Sequence, residues 1–430
     1  MSGKAAVQKQ PRIFYGWYIL ASSFAILFFT SGARYSIGVM FKPMIAEFGW
    51  SRASISLAFF IHMAAFALAV TIVGRFYDRH GPKWVIIIST LFVAGGFGLT
   101  ATIKSLWQLF FYYGFLAALG LGGTSVPLIA ALTSKWFEKR RGMAVSLALS
   151  GNSLGQFALV PIFTIFTLTL GWRFSYLYIG LIMLVVNIAL ALLVIKGDPH
   201  QLGLEPYGHK KVEDADLETE ETLQYEENEL SSVPKDLTLR QAMGTYSFWL
   251  FLVAMMICGS GDFFITTHLI AFVTDLGLSP TTGGNMLAWY GLMSLAGILV
   301  AGPISDLIGN KIPIASTFLI RAILLALLLK YRSASMLYVF AFAFGFTHLM
   351  SAPLTPTLLG KLFGFRNIGV ISGVINTVHH LAGGFWAYVG GVIFDKTGSY
   401  QLAFVYSATF AFVAFLCSVL IKEKRHLAGE

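Results

Sequence analysis

GRFYDRHGPK at Gly74–Lys83 and GPISDLIGNK at Gly302–Lys311 are two copies of one ten-residue pattern. Two glycines, the aspartate and the lysine match at one constant offset in residue number: Gly74, Asp78, Gly81 and Lys83 against Gly302, Asp306, Gly309 and Lys311. The same offset aligns FGWSRAS, which begins at Phe48, with LGLSPTT, which begins at Leu276. Self-similarity at one fixed offset indicates that the chain is a duplication of a single half.

Both copies lie in short breaks between long apolar stretches. Of the 430 residues, 56% are hydrophobic and 12% are charged, and this apolar share exceeds that of ordinary soluble domains. Stretches long enough to cross a bilayer core of about 30 Å begin near twelve positions: Ile13, Ala53, Trp84, Ser105, Gly142, Phe174, Tyr246, Leu276, Ile312, Ser333, Asn367 and Thr397. We therefore predict an all-α membrane protein with twelve transmembrane helices, numbered here as spans 1 to 12.

Lysines and arginines are distributed unevenly between the spans. If the N-terminus is cytoplasmic, the outer segments carry seven of them and the short inner segments more than twice as many; the seven are Lys42, Arg52, Lys104, Arg173, Lys330, Arg332 and Lys396. Excess positive charge marks the cytoplasmic side of membrane proteins. We therefore predict a multi-pass protein of the cell membrane with both termini in the cytoplasm. The bias also accounts for the net charge of +9 without a nucleic-acid partner.

One long polar stretch divides the chain. Residues 1–196 are predicted to form an N-terminal six-helix bundle, 197–240 a cytoplasmic linker and 241–430 a C-terminal six-helix bundle. Acidic residues crowd the linker between Glu213 and Glu229. Such a composition cannot bury a core, so we expect this run to be solvated; a docking site for a partner is the alternative.

The repeated pattern and the six-plus-six arrangement resemble the major facilitator superfamily, whose two pseudo-symmetric bundles enclose a cavity that opens alternately to each side. Glycines in the pattern allow a tight turn, and the carboxylate of Asp78 can cap a helix N-terminus or pair with a base. We expect this network to latch the cytoplasmic side in one state of the cycle. Its predicted members are Gly74, Asp78, Arg79, Gly81, Lys83, Asp306, Gly309 and Lys311.

Four further stretches are similar to the monocarboxylate and oxalate/formate transporter branch of that superfamily. They are YSIGVMFKP after Arg34, KWFEKRRGMAVSLALSGNSLG at Lys135–Gly155, GWRFSYL at Gly171–Leu177 and GVIFDKTGSY at Gly391–Tyr400. The resemblance implies a secondary active transporter of small organic anions, namely monocarboxylates, that works by proton-coupled symport and alternating access. Exchange of organic anions, of the oxalate/formate type, is the alternative.

The chain departs from this branch where the animal members hold their substrate. Those members carry a lysine in helix one where this chain has Tyr35, and an aspartate–arginine pair in helix eight where it has Ile298 and Gly302. An anion in a low-dielectric cavity still needs a fixed cation. The other ionisable residues within the spans are therefore the candidate replacements.

Arg34 and Asp262 are separated by the same offset as the two copies of the ten-residue pattern, so they occupy equivalent positions on spans 1 and 7. We predict that they face one another across the pseudo-two-fold axis, with Arg34 as the fork for the substrate carboxylate and Asp262 as the proton carrier. Arg34 lies 21 residues after Ile13, roughly 32 Å along a helix. The alternative therefore places Arg34 at the outer interface, where an arginine side chain reaches water.

Histidines within the spans are the other candidates. His379 and His380 lie near the middle of span 11, and because neighbours on a helix point about 100° apart, one of them is expected to reach the substrate; the resemblance favours His380. Hydrogen-bonded packing is the alternative for every histidine, and Arg321 is expected to hold a structural partner. The predicted substrate-binding set is Arg34, Tyr35, Tyr113, His348, Asn376, His379 and His380, and the proton-coupling set is Asp262 and His62.

Motifs of other function classes are missing from the sequence. No GxxxxGK[ST] pattern for ATP and no HExxH or CxxC pattern occurs, so we predict a gradient-driven transporter without a cofactor, and not an enzyme. Cys258 and Cys417 fall in apolar spans, where a thiol is an ordinary small hydrophobe, so neither a disulfide nor a metal site is predicted.

Two rival functions stay open. Proton-antiport efflux fits SGNSLGQFALVP, at Ser150–Pro161, only in part. A nutrient receptor that signals through the acidic linker is the second rival. For the transporter, the expected partners are a small carboxylate, protons and membrane lipid, and a single copy of the chain is the expected functional unit.

Overall fold

The computed structural model describes residues 14–208 and 236–422. The acidic run Glu213–Glu229 lies outside these residues. The long helices, with the spans that they hold, are Gly16–Phe48 (span 1), Arg52–Thr100 (spans 2 and 3), Leu106–Trp136 (span 4), Arg141–Leu170 (span 5), Trp172–Leu193 (span 6), Tyr246–Asp275 (span 7), Pro280–Ile308 (span 8), Lys311–Lys330 (span 9), Ala334–Phe363 (span 10), Ile368–Thr397 (span 11) and Gln401–Leu420 (span 12). The predicted all-α membrane fold is therefore confirmed.

The sequence repeat is present in the backbone as well. Gly81, where the helix Arg52–Thr100 bends, has a φ of 77°, and Gly309 after span 8 has a φ of 81°. Gly49 and Gly277, at the other ends of the helices, have φ values of 67° and 83°. Positive φ favours glycine because a Cβ would clash with the backbone. Each pair is separated by the offset of the sequence repeat, so the two halves turn in the same way at equivalent points.

The starts of spans 2 and 8 are also equivalent. The hydroxyl of Ser51 accepts a hydrogen bond from the backbone N–H of Ser54, and that of Ser279 accepts one from the N–H of Thr282. Such an N-cap stabilises a helix by about 1 kcal/mol. Span 8 therefore begins after Ser279, and the predicted start near Leu276 is too early.

Spans pack most closely where a glycine faces a neighbouring backbone. A Cβ at Gly155 of span 5 would collide with the carbonyl of Phe28 on span 1, and a Cβ at Gly259 of span 7 would collide with the carbonyl of His379 on span 11. Helices in a bilayer depend on such close packing because lipid provides no hydrophobic force between them. The contact at Gly259 fixes span 11, with His379, directly beside span 7.

The two halves meet along symmetric pairs of helices. Span 2 packs against span 11, span 5 against span 8, and span 1 against span 7. The first two pairs are exchanged by the repeat, and the third lies on its axis. These six spans therefore form the contact between the halves, and Arg34, His62 and His380 of the candidate site lie on them.

One stretch of span 5, GNSLG at Gly151–Gly155, has the letters of the nucleophile elbow of hydrolases. That elbow needs a strand, a sharp turn and a helix, whereas these residues lie inside the continuous helix Arg141–Leu170. The hydroxyl of Ser153 shares a hydrogen bond of 3.0 Å with that of Ser294 on span 8. Ser153 therefore joins the two halves and is not placed as a nucleophile.

Candidate functional site

Arg34 lies near the middle of span 1, where the two halves meet. Its guanidinium carbon is 4.7 Å from the ring centroid of Phe66 on span 2 and 5.3 Å from that of Phe263 on span 7. One terminal nitrogen approaches the sulfur of Met63 at 3.7 Å, and Nε is buried without a hydrogen-bond partner. No carboxylate in residues 14–208 or 236–422 pairs with it. Arg34 is thus an unpaired cation between the halves, and not an arginine at the outer interface.

Two further polar groups near Arg34 lack partners. The rings of His62 and Tyr113 are stacked with centroids 4.7 Å apart, and His62 Nδ1 lies 2.9 Å from the carbonyl oxygen of Tyr113. His62 Nε2 and the Tyr113 hydroxyl are buried and have no hydrogen bond within the described structure. Both groups lie within electrostatic range of Arg34. His62 Nε2 and the Tyr113 hydroxyl are therefore available to a ligand that binds beside Arg34.

The two histidines of span 11 point in different directions. His380 Nδ1 lies 2.8 Å from the carbonyl oxygen of Asn376, and its ring is 5.2 Å from that of Phe66, so it faces the Arg34 side. His379 Nδ1 lies 3.1 Å from the carbonyl oxygen of Met255 on span 7. The two rings thus have different surroundings, and the expectation that one of them reaches the substrate stays a prediction. Asn376 contributes its carbonyl, while the residue as a whole is exposed.

Asp262 belongs to a buried cluster inside the C-terminal half. Its Oδ1 is 3.0 Å from a terminal nitrogen of Arg321 on span 9 and 3.1 Å from His348 Nδ1 on span 10. Asp262 and Arg321 are each only 2% exposed. The predicted pair of Asp262 with Arg34 is therefore not formed, because span 7 turns Asp262 toward spans 9 and 10. We call Asp262, Arg321 and His348 the buried acid cluster.

The expectation of a structural partner for Arg321 holds. Its Nε donates to the hydroxyl of Thr347 at 3.0 Å, and a terminal nitrogen donates to the carbonyl of the same residue at 2.8 Å. The sequence did contain a signal for the pair, since a lone arginine in an apolar span needs a carboxylate within reach. Asp262 is the acid that lies deepest in a neighbouring span.

One contact connects the buried acid cluster with the N-terminal half. The hydroxyl of Tyr35 lies 3.5 Å from His348 Nε2, at the outer limit of a hydrogen bond. Tyr35 follows Arg34 in the chain, so this contact brings the unpaired cation and the cluster to one interface. The structure therefore brings Tyr35 of the N-terminal half and His348 of the C-terminal half together at this interface.

A network of charges closes one face of the molecule, the end where spans 1 and 2 meet spans 7 and 11. Asp275 binds Lys42 at 2.6 Å and Arg52 at 2.7 Å. Asp395 accepts hydrogen bonds from the backbone N–H groups of Arg52 and Ala53, at 3.0 Å and 2.8 Å, so it caps span 2 from the opposite half. We call this network the clamp, and its end of the molecule the clamp face.

Tyr400 forms a hydrogen bond with Arg52 of the clamp. Its hydroxyl accepts a hydrogen bond of 2.9 Å from Arg52 and lies 2.8 Å from His268 Nδ1. Burial raises the pKa of Tyr400 above its usual value, so the hydroxyl stays protonated and can donate to the histidine. His268 Nε2 lies 2.8 Å from the carbonyl of Ala387. The histidine nearest to the clamp is therefore fully bonded within the structure.

The opposite face carries the two copies of the ten-residue pattern, and we call it the signature face. Asp78, Arg79 and Asp306 are exposed there, and Leu307 is 83% exposed. Within the described ranges, neither Asp78 nor Arg79 has a hydrogen bond or an ion pair. The halves are thus held together at the clamp face, while the role of the signature residues as a latch stays a prediction.

Asp275→Asn is expected to loosen the clamp, because it removes the ion pairs to Lys42 and Arg52. Each partly exposed pair contributes up to about 1 kcal/mol, so the loss of both should raise the population open at the clamp face by up to about thirtyfold. A cysteine introduced at buried Ser56 reports this opening through its rate of reaction with a membrane-impermeant maleimide. Protein without that cysteine gives the background. Asp198→Asn, which removes an acid elsewhere, should leave the rate unchanged; an unchanged rate in Asp275→Asn would mean that the clamp does not hold this face.

Two bundles of six spans, an internal two-fold repeat and a polar site between the halves define a membrane transport protein. The sequence matches the family model of the Major Facilitator Superfamily over residues 23–274 and 250–429, and the chain belongs to this superfamily.

Individual relatives agree with this assignment. The chain is 25% identical to the uncharacterized MFS-type transporter YcxA of Bacillus subtilis over 95% of this chain and 98% of that protein. It is 26% identical to monocarboxylate transporter 13 of Rattus norvegicus, over 92% and 86% of the two chains, which confirms the resemblance to monocarboxylate transporters. A bacterial homologue of the human lysosomal transporter Spinster, in an inward-facing and occupied conformation, has the same fold with a TM-score of 0.73, at 15% identity over 96% of this chain and 97% of that one.

Proposed function

We propose that this transporter carries small organic monocarboxylates together with protons, by alternating access to one site between its halves. The observation that supports this most is Arg34, a cation at mid-span that lacks an acid partner throughout the described residues. A guanidinium binds a carboxylate through a planar pair of charge-assisted hydrogen bonds. The relatives named monocarboxylate transporters support the same class of substrate.

The surroundings of Arg34 suit a carboxylate. Phe66 and Phe263 lie against the guanidinium, so the N–H groups at its edge are left to bind the substrate. His62 Nε2 and the Tyr113 hydroxyl are free to bond further substrate oxygens. We assign the carboxylate to Arg34 and Tyr113, with His380, whose ring is 5.2 Å from that of Phe66, as a polar group of the C-terminal half on the same side.

A single negative charge fits this site best. The other arginine at this level, Arg321, is neutralised by Asp262 at 3.0 Å, so one positive charge is left for the substrate. A dicarboxylate would bring a second charge into the interior without a cation, and an unpaired buried charge is strongly unfavourable. Lactate, pyruvate, a short branched acid or an aromatic carboxylate would all satisfy the charge of Arg34.

The difference between the two faces supports alternating access. We propose that the signature face is cytoplasmic, as the charge bias predicts, and that the clamp face is outside. The clamp then closes the outer side in the described state, and the site is reached from the cytoplasm. In the opposite state the clamp opens, and the signature residues, with Asp78 and Asp306 as the acids, latch the inner side. One site is thereby exposed to each side in turn.

Transport by the purified protein in liposomes tests this function. Radiolabelled acetate, lactate, pyruvate and benzoate are offered one at a time, with and without an inward proton gradient and with and without unlabelled acid inside. We expect accumulation of at least one acid driven by the proton gradient alone, against empty liposomes as the control. Succinate, a dicarboxylate of similar size, should be transported poorly.

The outcomes separate the possible modes of transport. Uptake only into liposomes that contain unlabelled acid would identify an anion exchanger and overturn symport. Transport of none of the four monocarboxylates under any condition would overturn the proposal as a whole and would favour efflux of other small molecules.

A further inference from the structure

A continuous chain of contacts joins the neighbour of Arg34 to the buried acid cluster. The Tyr35 hydroxyl lies 3.5 Å from His348 Nε2, and His348 Nδ1 lies 3.1 Å from Asp262 Oδ1. The same oxygen is 3.0 Å from Arg321. The chain crosses from span 1 of one half to spans 7, 9 and 10 of the other. These contacts therefore depend on whether the two halves are together and on whether an anion neutralises the charge of Arg34.

Asp262 is poorly suited to bind and release a proton in each transport cycle. Its partner Arg321 is fixed by Thr347 through two hydrogen bonds, of 3.0 Å and 2.8 Å, and it also contacts the Cys258 sulfur at 3.3 Å. A proton on Asp262 would leave this arginine charged, buried and unpaired, which is the unfavourable state of a buried ion pair. The pair is therefore better suited to stay charged throughout the cycle.

His348 can gain a proton without a rearrangement of its neighbours. Its Nδ1 is within ion-pair distance of Asp262 but off the line of a hydrogen bond, and it has no other partner in the described structure. When the ring is charged, both nitrogens carry hydrogens, so Nδ1 faces the carboxylate and Nε2 faces the hydroxyl of Tyr35. A hydroxyl can either donate or accept. Both forms of the ring can thus keep the same two contacts.

We propose that His348 binds the coupling proton, that Asp262 and Arg321 position it, and that Tyr35 connects it to the substrate at Arg34. This assignment rests on the proposed carboxylate transport and adds the residue that couples it to protons, in place of the sequence-based choice of Asp262. A bound carboxylate cancels the charge of Arg34, after which a second positive charge at His348 is no longer repelled. Carboxylate and proton then cross the membrane as a neutral pair, one of each.

Other titratable groups face the buried acid cluster, and one of them could compete for the proton. Tyr290 on span 8 has its ring centroid 4.9 Å from that of His348, and His379 on span 11 interacts electrostatically with both Asp262 and His348. His379 Nδ1 lies 3.1 Å from the Met255 carbonyl, where it donates. The groups around His348 are thus Tyr35, Cys258, Asp262, Tyr290, Arg321 and His379. His379 is the second imidazole near the acid, so it provides the matched control.

His348→Gln separates proton coupling from substrate transport. The full-length protein is placed in liposomes with a trapped pH dye, and the probe is the acid of the panel that the natural protein transports fastest. We expect exchange of labelled for unlabelled acid to stay within about threefold of the natural rate, while accumulation driven by a proton gradient falls at least about tenfold. Uptake of the carboxylate should no longer acidify the liposome interior, as reported by the dye. The rate of uptake should also depend less on external pH. His379→Gln is the comparison, and loss of proton-driven accumulation in His379→Gln with His348→Gln unaffected would assign the proton to His379 and overturn the proposal.

A double variant tests the positioning role. Asp262→Asn together with Arg321→Met removes both charges, so the region around His348 stays neutral and folding is preserved. We expect exchange to continue and the pH profile of proton-driven uptake to change, because the carboxylate 3.1 Å from His348 Nδ1 is gone. A pH profile identical to that of the natural protein would exclude Asp262 as a positioning residue.

The remaining outcomes are distinct. Proton-driven accumulation by His348→Gln at the natural level would overturn the assignment of the proton and leave carboxylate transport intact. Loss of both exchange and accumulation in His348→Gln would also overturn it, since His348 would then be needed for the substrate. Absence of carboxylate exchange in the natural protein would instead overturn the proposed function.

Discussion

Replacing Arg34 with glutamine is expected to lower the efficiency of carboxylate uptake about 100-fold, because a charged hydrogen-bond partner contributes about 2 to 3 kcal/mol to binding. No acidic residue in the described part of the chain pairs with the guanidinium, so its whole charge is available to the substrate. Glutamine can still donate hydrogen bonds but is shorter and uncharged, so the loss reports the charge together with the reach of the guanidinium. The measurement is the initial rate of uptake into liposomes over a range of substrate concentrations.

Stability provides the control for this variant. An arginine that served the fold would have an acid partner, whereas Arg34 contacts Phe66, Phe263 and the sulfur of Met63. Arg34→Gln should therefore be at least as resistant to thermal unfolding in detergent as the natural protein. Arg34→Lys keeps the charge but loses the planar fork, and we expect it to recover uptake only in part. Uptake by Arg34→Gln within about threefold of the natural efficiency would exclude Arg34 as the anchor of the carboxylate.

Much of the architecture can be predicted from the sequence because it depends on features of short range. The constant offset between the two copies of the ten-residue pattern predicted equivalent turns, and Gly81 and Gly309 do share the same backbone conformation. Span lengths are less predictable, because a helix can continue beyond the bilayer. Span 1 starts at Gly16 and runs for 33 residues to Phe48, so Arg34 lies near its middle, whereas a count from Ile13 over one membrane thickness places it near the outer end.

Contacts between side chains that are far apart in the sequence were harder to predict. Sequence symmetry puts Arg34 and Asp262 at equivalent depths, but the rotation of each helix about its axis decides which neighbours a side chain meets. Span 7 turns Asp262 into its own half, toward Arg321 and His348. The free atoms of His62 and Tyr113 beside Arg34 are likewise a result of three-dimensional packing, since a sequence does not show which polar groups stay unbonded.

Asp262→Asn is expected to lower the free energy of unfolding by about 3 to 5 kcal/mol, because it leaves Arg321 charged in a buried site. Both side chains are almost wholly enclosed, so water cannot replace the lost partner. Arg321→Met should have a similar effect, since it leaves the carboxylate uncompensated. The measurement is equilibrium unfolding in mixed detergent micelles, followed by intrinsic fluorescence, with Asp275→Asn as the control for loss of an exposed acid.

The double variant shows whether the ion pair of Asp262 and Arg321 stabilises the fold or instead positions His348. Removing both charges leaves no unpaired ion, so Asp262→Asn with Arg321→Met should be more stable than either single variant, which requires a coupling free energy larger than the cost of one single variant, that is above about 3 to 5 kcal/mol. A double variant no more stable than the singles would mean that each residue is held by other contacts, such as those of Arg321 to Thr347. A buried ion pair that a neutral pair can replace is not needed to hold the helices together. Its retention beside His348 is then explained by the fixed charge that it places against the imidazole, which is the property that proton coupling requires.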